Sequence, residues 1–183
     1  MAQSIYITSA EGHSGKSTVA LGVLEALSRA TPRVGVFRPV ARSTAERDYV
    51  LEMLLDHDGV DLDYDLCVGV SYDDVRQDPD AALAKIVERY KAVESRCDAV
   101  VIVGSDYTDV TTGNEWASNA QIAANIGSPV VLVVHGRGRD PQTIAATVAL
   151  ANSELVGWHA HPVAVIANRV DPADVQEVRA LLA

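Results

Sequence analysis

The stretch that most constrains the fold is a glycine-rich segment near the N-terminus. A short β-favouring run containing Ile5 and Ile7 precedes it, and an apolar-periodic helix pattern over 20–27 follows it. Between them lies GHSGKST, residues 12–18. Strand, glycine-rich loop and helix in this order form the context that a phosphate-binding loop requires. The segment therefore predicts an α/β fold built around a nucleotide triphosphate site.

The residue types of this loop suit phosphate chemistry. Gly12 and Gly15 permit backbone conformations in which successive N–H groups turn inward around an anion. Lys16 would reach the β- and γ-phosphates, and we expect it to lie in water when the loop is empty; the Ser17 hydroxyl would take one place on Mg²⁺. The predicted nucleotide contacts in the loop are Gly12, His13, Ser14, Gly15, Lys16, Ser17 and Thr18. Ala10 stands where the pattern has its first Gly, so a plain strand-to-helix turn with an exposed lysine is the alternative.

Composition limits the classes of protein to which the chain can belong. Its 183 residues are 48% hydrophobic, which predicts one domain with a sizeable core. A formal net charge of −10 repels nucleic acid and anionic membranes, so neither is an expected partner. Without a signal-like N-terminus or a membrane-length apolar run, a cytoplasmic protein is predicted. Cys67 and Cys97 lack metal-site spacing and are expected to be buried thiols.

Apolar runs alternate with helical patterns along the rest of the chain. Continuous runs over 98–104 and 129–134 are typical of strands in a parallel sheet that is covered on both faces. Further strands are predicted at 33–40, where Pro39 should end the strand, at 66–70 in an otherwise irregular segment, and at 163–167. The fold is therefore predicted to be a three-layer α/β/α sandwich with a mainly parallel sheet, and its ligand should lie outside the carboxyl ends of the strands.

Two aspartates are candidates for the carboxylate that Mg²⁺ takes in addition to the loop hydroxyl. Asp106 follows the strand at 98–104, although a plain loop aspartate is about as good an explanation. Asp48 falls within a helix predicted from Ser43 or Thr44 to about Asp56, where an exposed helix residue is the alternative. The predicted metal ligands are Ser17, Asp48 and Asp106.

Polar side chains at two other strand ends are candidate ligand contacts. Asn168 follows the strand at 163–167, and its paired donors and acceptors suit the edge of an adenine ring. Together with Arg169 it completes the predicted nucleotide-binding set; a cap on the turn into Asp171 is the alternative for Asn168. Arg38 ends the second strand and could meet an anionic substrate or the γ-phosphate, or lie exposed.

Four segments together resemble a known family. They are STVALGV at 17–23, VFRPV at 36–40, VVIVGS at 100–105 and NRVDP at 168–172, in this order over nearly the whole length. The chain resembles the dethiobiotin synthetase-like phosphate-loop domains. More closely, it is similar to the N-terminal domain of the long form of bacterial phosphate acetyltransferase.

The resemblance implies a P-loop NTPase-like domain that binds ATP and Mg²⁺ and has a regulatory or stabilising role in a longer, homo-oligomeric protein. The acetyl transfer would belong to a separate C-terminal acetyltransferase domain. Three departures stand out: Arg38 replaces the usual lysine of dethiobiotin synthetases, Val103 replaces their strand-end glutamate, and Glu11 stands where partition ATPases carry a lysine. The alternatives are a stand-alone ATP-dependent ligase of the dethiobiotin synthetase type and an oligomerisation module with a relic loop.

Overall fold

The computed structural model describes residues 2–43, 45–105 and 115–183. Its strands are β1 (Gln3–Thr8), β2 (Val34–Ala41), β3 (Val68–Ser71), β4 (Ala99–Val103), β5 (Pro129–His135) and β6 (His161–Asn168). Its helices are α1 (Lys16–Ala30), α2 (Tyr49–Leu55), α3 (Tyr64–Cys67), α4 (Tyr72–Gln77), α5 (Pro79–Glu94), α6 (Glu115–Ile126), α7 (Pro141–Gly157) and α8 (Val175–Leu182). None of the helices in these ranges is long and apolar enough to cross a membrane.

The strands form one sheet in the order β3, β2, β4, β1, β5, β6, and every pair is parallel. Apolar side chains cover both faces of this sheet. On one face Tyr6 packs with residues of α5 and α6, and on the other Ile7 packs with α1 and α2. Successive strand residues point to opposite faces, which is why these two neighbours enter different cores. The predicted α/β sandwich is confirmed, and its sheet is wholly parallel.

β1 lies in the middle of the sheet and determines where the loops meet. It pairs with β4 through Ile7 and Val103, and with β5 through Thr8 and Leu132. Because parallel strands end on the same edge, the loops that follow β1, β4, β5 and β6 emerge side by side. This is the edge at which ligands bind in open α/β sheets.

β2 continues through Pro39 to Ala41, so the prediction that Pro39 ends the strand is wrong. The ladder to β4 ends at Phe37, before the proline, and only the pairing with β3 continues. A side chain at Gly69 would place its Cβ 2.1 Å from the Pro39 carbonyl oxygen. A glycine in β3 therefore allows the two backbones to approach closely beside the proline.

α2 begins later than the predicted start at Ser43 or Thr44, the second of which lies outside the described residues. Asp48 is the N-cap, because its carboxylate accepts a hydrogen bond from Leu51 N–H (3.0 Å). The segment that follows, predicted to be largely irregular, contains α3, β3 and α4. A reciprocal capping box between Ser71 and Asp74 starts α4.

The two cysteines are buried free thiols, as predicted. Burial raises the pKa of the Cys67 thiol to about 12 and also raises the pKa of Cys97. The thiolate is the reactive form of cysteine, so both side chains behave as core residues at neutral pH.

Candidate functional site

The segment between β1 and α1, which we call the β1–α1 loop (residues 9–15), contains two residues in the left-handed region. They are His13, with φ 57°, and Gly15, with φ 84°, and α1 begins directly afterwards at Lys16. A Cβ on Gly15 would lie 2.2 Å from Nδ2 of Asn168, so only glycine fits there. The predicted strand–loop–helix is confirmed, and it brings the positive N-terminal end of α1 to the carboxyl edge of the sheet.

The predicted loop residues differ in their exposure. His13 and Thr18 are exposed, Gly12, Gly15 and Ser17 are half-buried, and Ser14 and Lys16 are buried. Lys16 is only 2% exposed, so the expectation that it lies in water is wrong, and so is the alternative of an exposed turn lysine. The hydroxyls of Thr8 and Ser14 are buried and have no hydrogen-bond partner among the described residues. Since buried polar groups normally find partners, this polar lining fits an anion with acceptor oxygens.

The end of β6 contacts the β1–α1 loop through two side chains. Asn168 Nδ2 donates to the Ser14 carbonyl oxygen at 2.8 Å, and Arg169 Nη1 donates to the His13 carbonyl oxygen at 3.2 Å. Both contacts satisfy carbonyl oxygens of the loop and tie it to the end of β6. The structure thus brings Asn168 and Arg169 to the predicted site, while the contact of Asn168 with adenine remains a prediction.

A third loop, which follows β5, is tied to the first two. The Glu11 carboxylate accepts from His135 N–H at 3.3 Å and from Arg139 Nη1. Gly136 N–H donates to the Asn168 carbonyl oxygen at 2.7 Å. The loops after β1, β5 and β6 therefore form a closed set of contacts that fixes the shape of the β1–α1 loop.

Arg38 is buried, which contradicts the alternative of an exposed strand-end arginine. Its side chain is 2% exposed, and Nη1 donates to the carbonyl oxygens of Val103 (3.1 Å) and Gly104 (2.5 Å). Its Nε donates to Asp48 at 3.2 Å. Because β2 runs to Ala41, Arg38 lies inside the strand, so the prediction that it ends the strand is wrong. Its partners belong to the end of β4 and the start of α2, so Arg38 joins three elements. Its predicted contact with an anion stays a prediction.

Asp48 is more deeply engaged than a surface helix residue. Its side chain is 6% exposed; one carboxylate oxygen caps α2 through Leu51 N–H and the other accepts from Arg38. Its backbone N–H donates to the Tyr64 hydroxyl at 2.6 Å. The prediction that Asp48 binds Mg²⁺ is untested, and a metal there would have to share both oxygens.

The end of β4 is held by a buried amide. Asn119 Oδ1 accepts from the Tyr6 hydroxyl (2.8 Å) and from Ser105 N–H (3.1 Å), and Nδ2 donates to the carbonyl oxygens of Ser105 (3.1 Å) and Glu115 (2.9 Å). Burial raises the pKa of the Tyr6 hydroxyl, and the charge of Arg38 offsets part of that rise. The predicted metal ligand Asp106 lies outside the described residues.

Within the described ranges, no group of three or more His, Cys, Asp or Glu side chains could hold a metal ion. Mg²⁺ bound with nucleotide commonly needs only one or two protein oxygens besides phosphate and water. Ser17, the third predicted ligand, is half-buried in the first turn of α1, where its hydroxyl suits such a role.

A protein-family model matches nearly the whole chain. The family AAA_26, described as an AAA domain, matches residues 3–183. The chain belongs to the AAA_26 family of P-loop domains.

Two curated relatives of this AAA_26 chain carry the same name. A phosphate acetyltransferase of Nitratidesulfovibrio vulgaris is 32% identical over 187 residues, and one of Synechocystis sp. is 26% identical over 189 residues. The matches cover 97% and 100% of this chain but 27% of each relative. The chain thus spans about a quarter of the length of these relatives, which confirms the resemblance to a domain of a long phosphate acetyltransferase.

A solved structure shares the fold. The septum site-determining protein MinD of Pyrococcus horikoshii, complexed with Mg-ADP, matches with a TM-score of 0.57 and 17% identity. The match covers 97% of this chain and 77% of that one. At this identity the likeness shows the fold alone.

Sequence reasoning missed two features of this AAA_26 site, the Glu11–Arg139 ion pair and the Asn119 network. Glu11 and Arg139 are 128 residues apart in the chain, so only the three-dimensional structure brings them together. The signals in the sequence were a carboxylate inside a phosphate-type loop and a basic Gly-Arg-Gly-Arg segment at 136–139. Asn119 gave no signal, because a polar residue in a half-exposed helix is ordinary.

Proposed function

We propose that the chain binds Mg-ATP and acts as a regulatory or stabilising domain of a larger acyltransferase of the phosphate acetyltransferase type. The observation that carries the proposal is the junction at Gly15 and Lys16. There a left-handed glycine, a buried lysine and the first turn of a 15-residue helix meet at the carboxyl edge of a parallel sheet. This combination favours the polyphosphate of a nucleotide.

The residues of the site have separate roles in this proposal. Backbone N–H groups of residues 12–18 and the Lys16 ammonium bind the phosphates, and the Ser17 hydroxyl binds Mg²⁺. Asn168 binds the base, and Arg169 holds the carbonyl oxygen of His13 in the loop. When bound, Mg²⁺ would offset the charge of the phosphates.

The distribution of charge supports an anionic ligand at this edge. The chain as a whole has a formal net charge of −10. At the β1–α1 loop, however, the structure places the cations Lys16 and Arg169, and Arg139 there offsets the carboxylate of Glu11. Cations gathered at one site of a negative protein attract anions to that site.

The regulatory part of the proposal rests on the relatives. They carry the name phosphate acetyltransferase and are nearly four times as long as the matched segment. We propose that the natural partner is a C-terminal acetyltransferase domain, that the protein is a cytoplasmic homo-oligomer, and that this domain turns over little ATP by itself. An ADP-release assay with diaminopelargonate and bicarbonate distinguishes this proposal from the ligase alternative, because substrate-dependent turnover would overturn it.

Calorimetric titration of the folded chain with Mg-ATP tests the binding. We expect saturable heat, and we expect Lys16→Ala to weaken binding by about 1.5–3 kcal/mol, or roughly ten- to a hundredfold, because charge-assisted contacts to phosphate are lost. Lys85→Ala is the matched control, since Lys85 is exposed on α5 and should bind like the parent. The thermal midpoint of Lys16→Ala must be recorded as well, because Lys16 is buried.

No heat from the folded parent at millimolar Mg-ATP would contradict the proposal. Equal affinities of the parent and Lys16→Ala would show that nucleotide binds elsewhere.

A further inference from the structure

Glu11 is an anomaly in a phosphate site. It directly precedes Gly12 and lies within the β1–α1 loop, whose backbone N–H groups are proposed to bind the phosphates. A like charge at such a position opposes anion binding unless another group compensates it. Binding of phosphate at this loop therefore requires a nearby cation that compensates the charge of Glu11.

The structure provides this cation from the loop that follows β5. Arg139 lies in the β5–α7 loop (residues 136–140) and pairs with Glu11; the two side chains are 30% and 22% exposed. The second Glu11 oxygen accepts from His135 N–H (3.3 Å), and the Glu11 N–H donates to Ser9 Oγ (3.1 Å). Three contacts therefore fix Glu11: one comes from the end of β5, one from the β5–α7 loop and one from Ser9.

The loop that carries Arg139 is itself held in place. Gly136 N–H bonds the Asn168 carbonyl oxygen, and Arg139 N–H bonds the Gly136 carbonyl oxygen at 3.2 Å. Asp140 then caps α7 through Thr143 N–H at 2.9 Å. Arg139 is thus presented from a fixed turn, as a residue that positions another group must be.

We propose that Arg139 is a positioning residue for nucleotide binding, which neutralises Glu11 and holds it against the end of β5. This inference rests on the proposed function. Loss of Arg139 leaves an uncompensated carboxylate beside the phosphates, and loss of both charges removes the repulsion. A merely structural contact predicts no such rescue.

A double-mutant cycle on Mg-ATP affinity, measured by calorimetry in low salt, tests the proposal. We expect Arg139→Ala to bind about tenfold more weakly than the parent, and the double variant Glu11→Gln/Arg139→Ala to return to within about threefold of it. The deficit of Arg139→Ala should shrink as salt is raised, because salt screens the carboxylate. Arg137→Ala is the matched control: it removes the same charge from an exposed residue two positions earlier and should stay within about threefold of the parent.

Full affinity in Arg139→Ala would overturn the proposal, and so would a double variant as weak as the single one. If the parent itself binds no Mg-ATP, the proposed function fails and this inference fails with it, an outcome that differs from an unchanged Arg139→Ala in a binding parent. Should Arg139→Ala not fold, Arg139→Lys and Arg139→Gln replace it. Near-parent affinity for Lys and weak binding for Gln would support the proposal, and equal affinities would overturn it.

Discussion

The two halves of the carboxyl edge use polar side chains in different ways. In the loop half, at the ends of β1, β5 and β6, side chains such as Asn168 and Arg169 donate to loop carbonyls and stay partly exposed. In the arginine half, near the ends of β2 and β4, the side chains of Arg38, Asp48 and Asn119 are buried. Arg38 bonds to Asp48 and to the carbonyl oxygen of Val103. Asn119 bonds to Ser105, just beyond β4. Position near this edge therefore does not by itself make a polar residue functional. The partners of its side chain indicate its role better than its burial does, since the buried Lys16 belongs to the proposed phosphate site.

Arg38→Ala should have the largest effect on folding. It removes the guanidinium that Asp48 shares with two carbonyl oxygens at the end of β4, which should cost about 3–5 kcal/mol of unfolding free energy. Urea unfolding measures the loss. Arg33→Ala is the control, because Arg33 forms an exposed pair with Asp98 that is worth about 0–1 kcal/mol. Equal losses in the two variants would contradict the structural role assigned to the buried Arg38.

Asn119→Ala should come next. The variant leaves the Tyr6 hydroxyl and Ser105 N–H buried without their acceptor, so we expect a loss of about 2–3 kcal/mol in the same experiment. Asn125→Ala, an exposed amide of the same helix, should change stability by no more than about 0.5 kcal/mol. A small loss for Asn119→Ala would mean that the network at the end of β4 is not structural.

Asp48→Asn separates a structural role from a metal role. Asparagine still caps α2, but it no longer neutralises Arg38, so we expect a loss of about 1–3 kcal/mol in unfolding free energy. The affinity for Mg-ATP should stay within about threefold of the parent. A selective loss of Mg²⁺-dependent binding would instead support the sequence prediction that Asp48 is a metal ligand.

Asn168→Ala should have the smallest effect on folding. Unlike the variants above, it should affect Mg-ATP affinity more than stability. One partly buried hydrogen bond is lost, at about 1 kcal/mol, whereas Mg-ATP affinity should fall about five- to tenfold, because the proposed contact with the base is lost and the Ser14 carbonyl is released. Chemical unfolding and calorimetry on the same sample give both numbers. Unchanged affinity with a large loss of stability would place Asn168 with the arginine half.

Sequence patterns predicted the parts of this molecule that are determined by residues close together in the chain. The glycine-rich loop between β1 and α1 and the buried runs of β4 and β5 have periodicities and residue types that few other structures share. The start of α2 was misplaced because Ser43 and Asp48 are both good caps, and the choice between them depends on Arg38 and Tyr64. These residues are 10 and 16 positions away from Asp48 in the chain and contact it only in the folded structure. The extent of β2 likewise depended on Gly69 of another strand.

The candidate site could be predicted only where one segment carried it. Residues 12–18 and the pair Asn168 and Arg169 lie at strand ends, and parallel topology brings these ends together. The burial of Lys16 and the Glu11–Arg139 pair result from how three loops pack, which no residue pattern in a single sequence specifies.

Hydrogen exchange of the full chain with and without saturating Mg-ATP tests the central claim most directly. Exchange reports the local opening of each segment, so ligand contacts appear as slower exchange where they form. We predict protection in peptides that cover 9–18, 135–140 and 168–171, and unchanged exchange over 38–52. Protection confined to 38–52, or no protection in the loop half of the edge, would contradict the account.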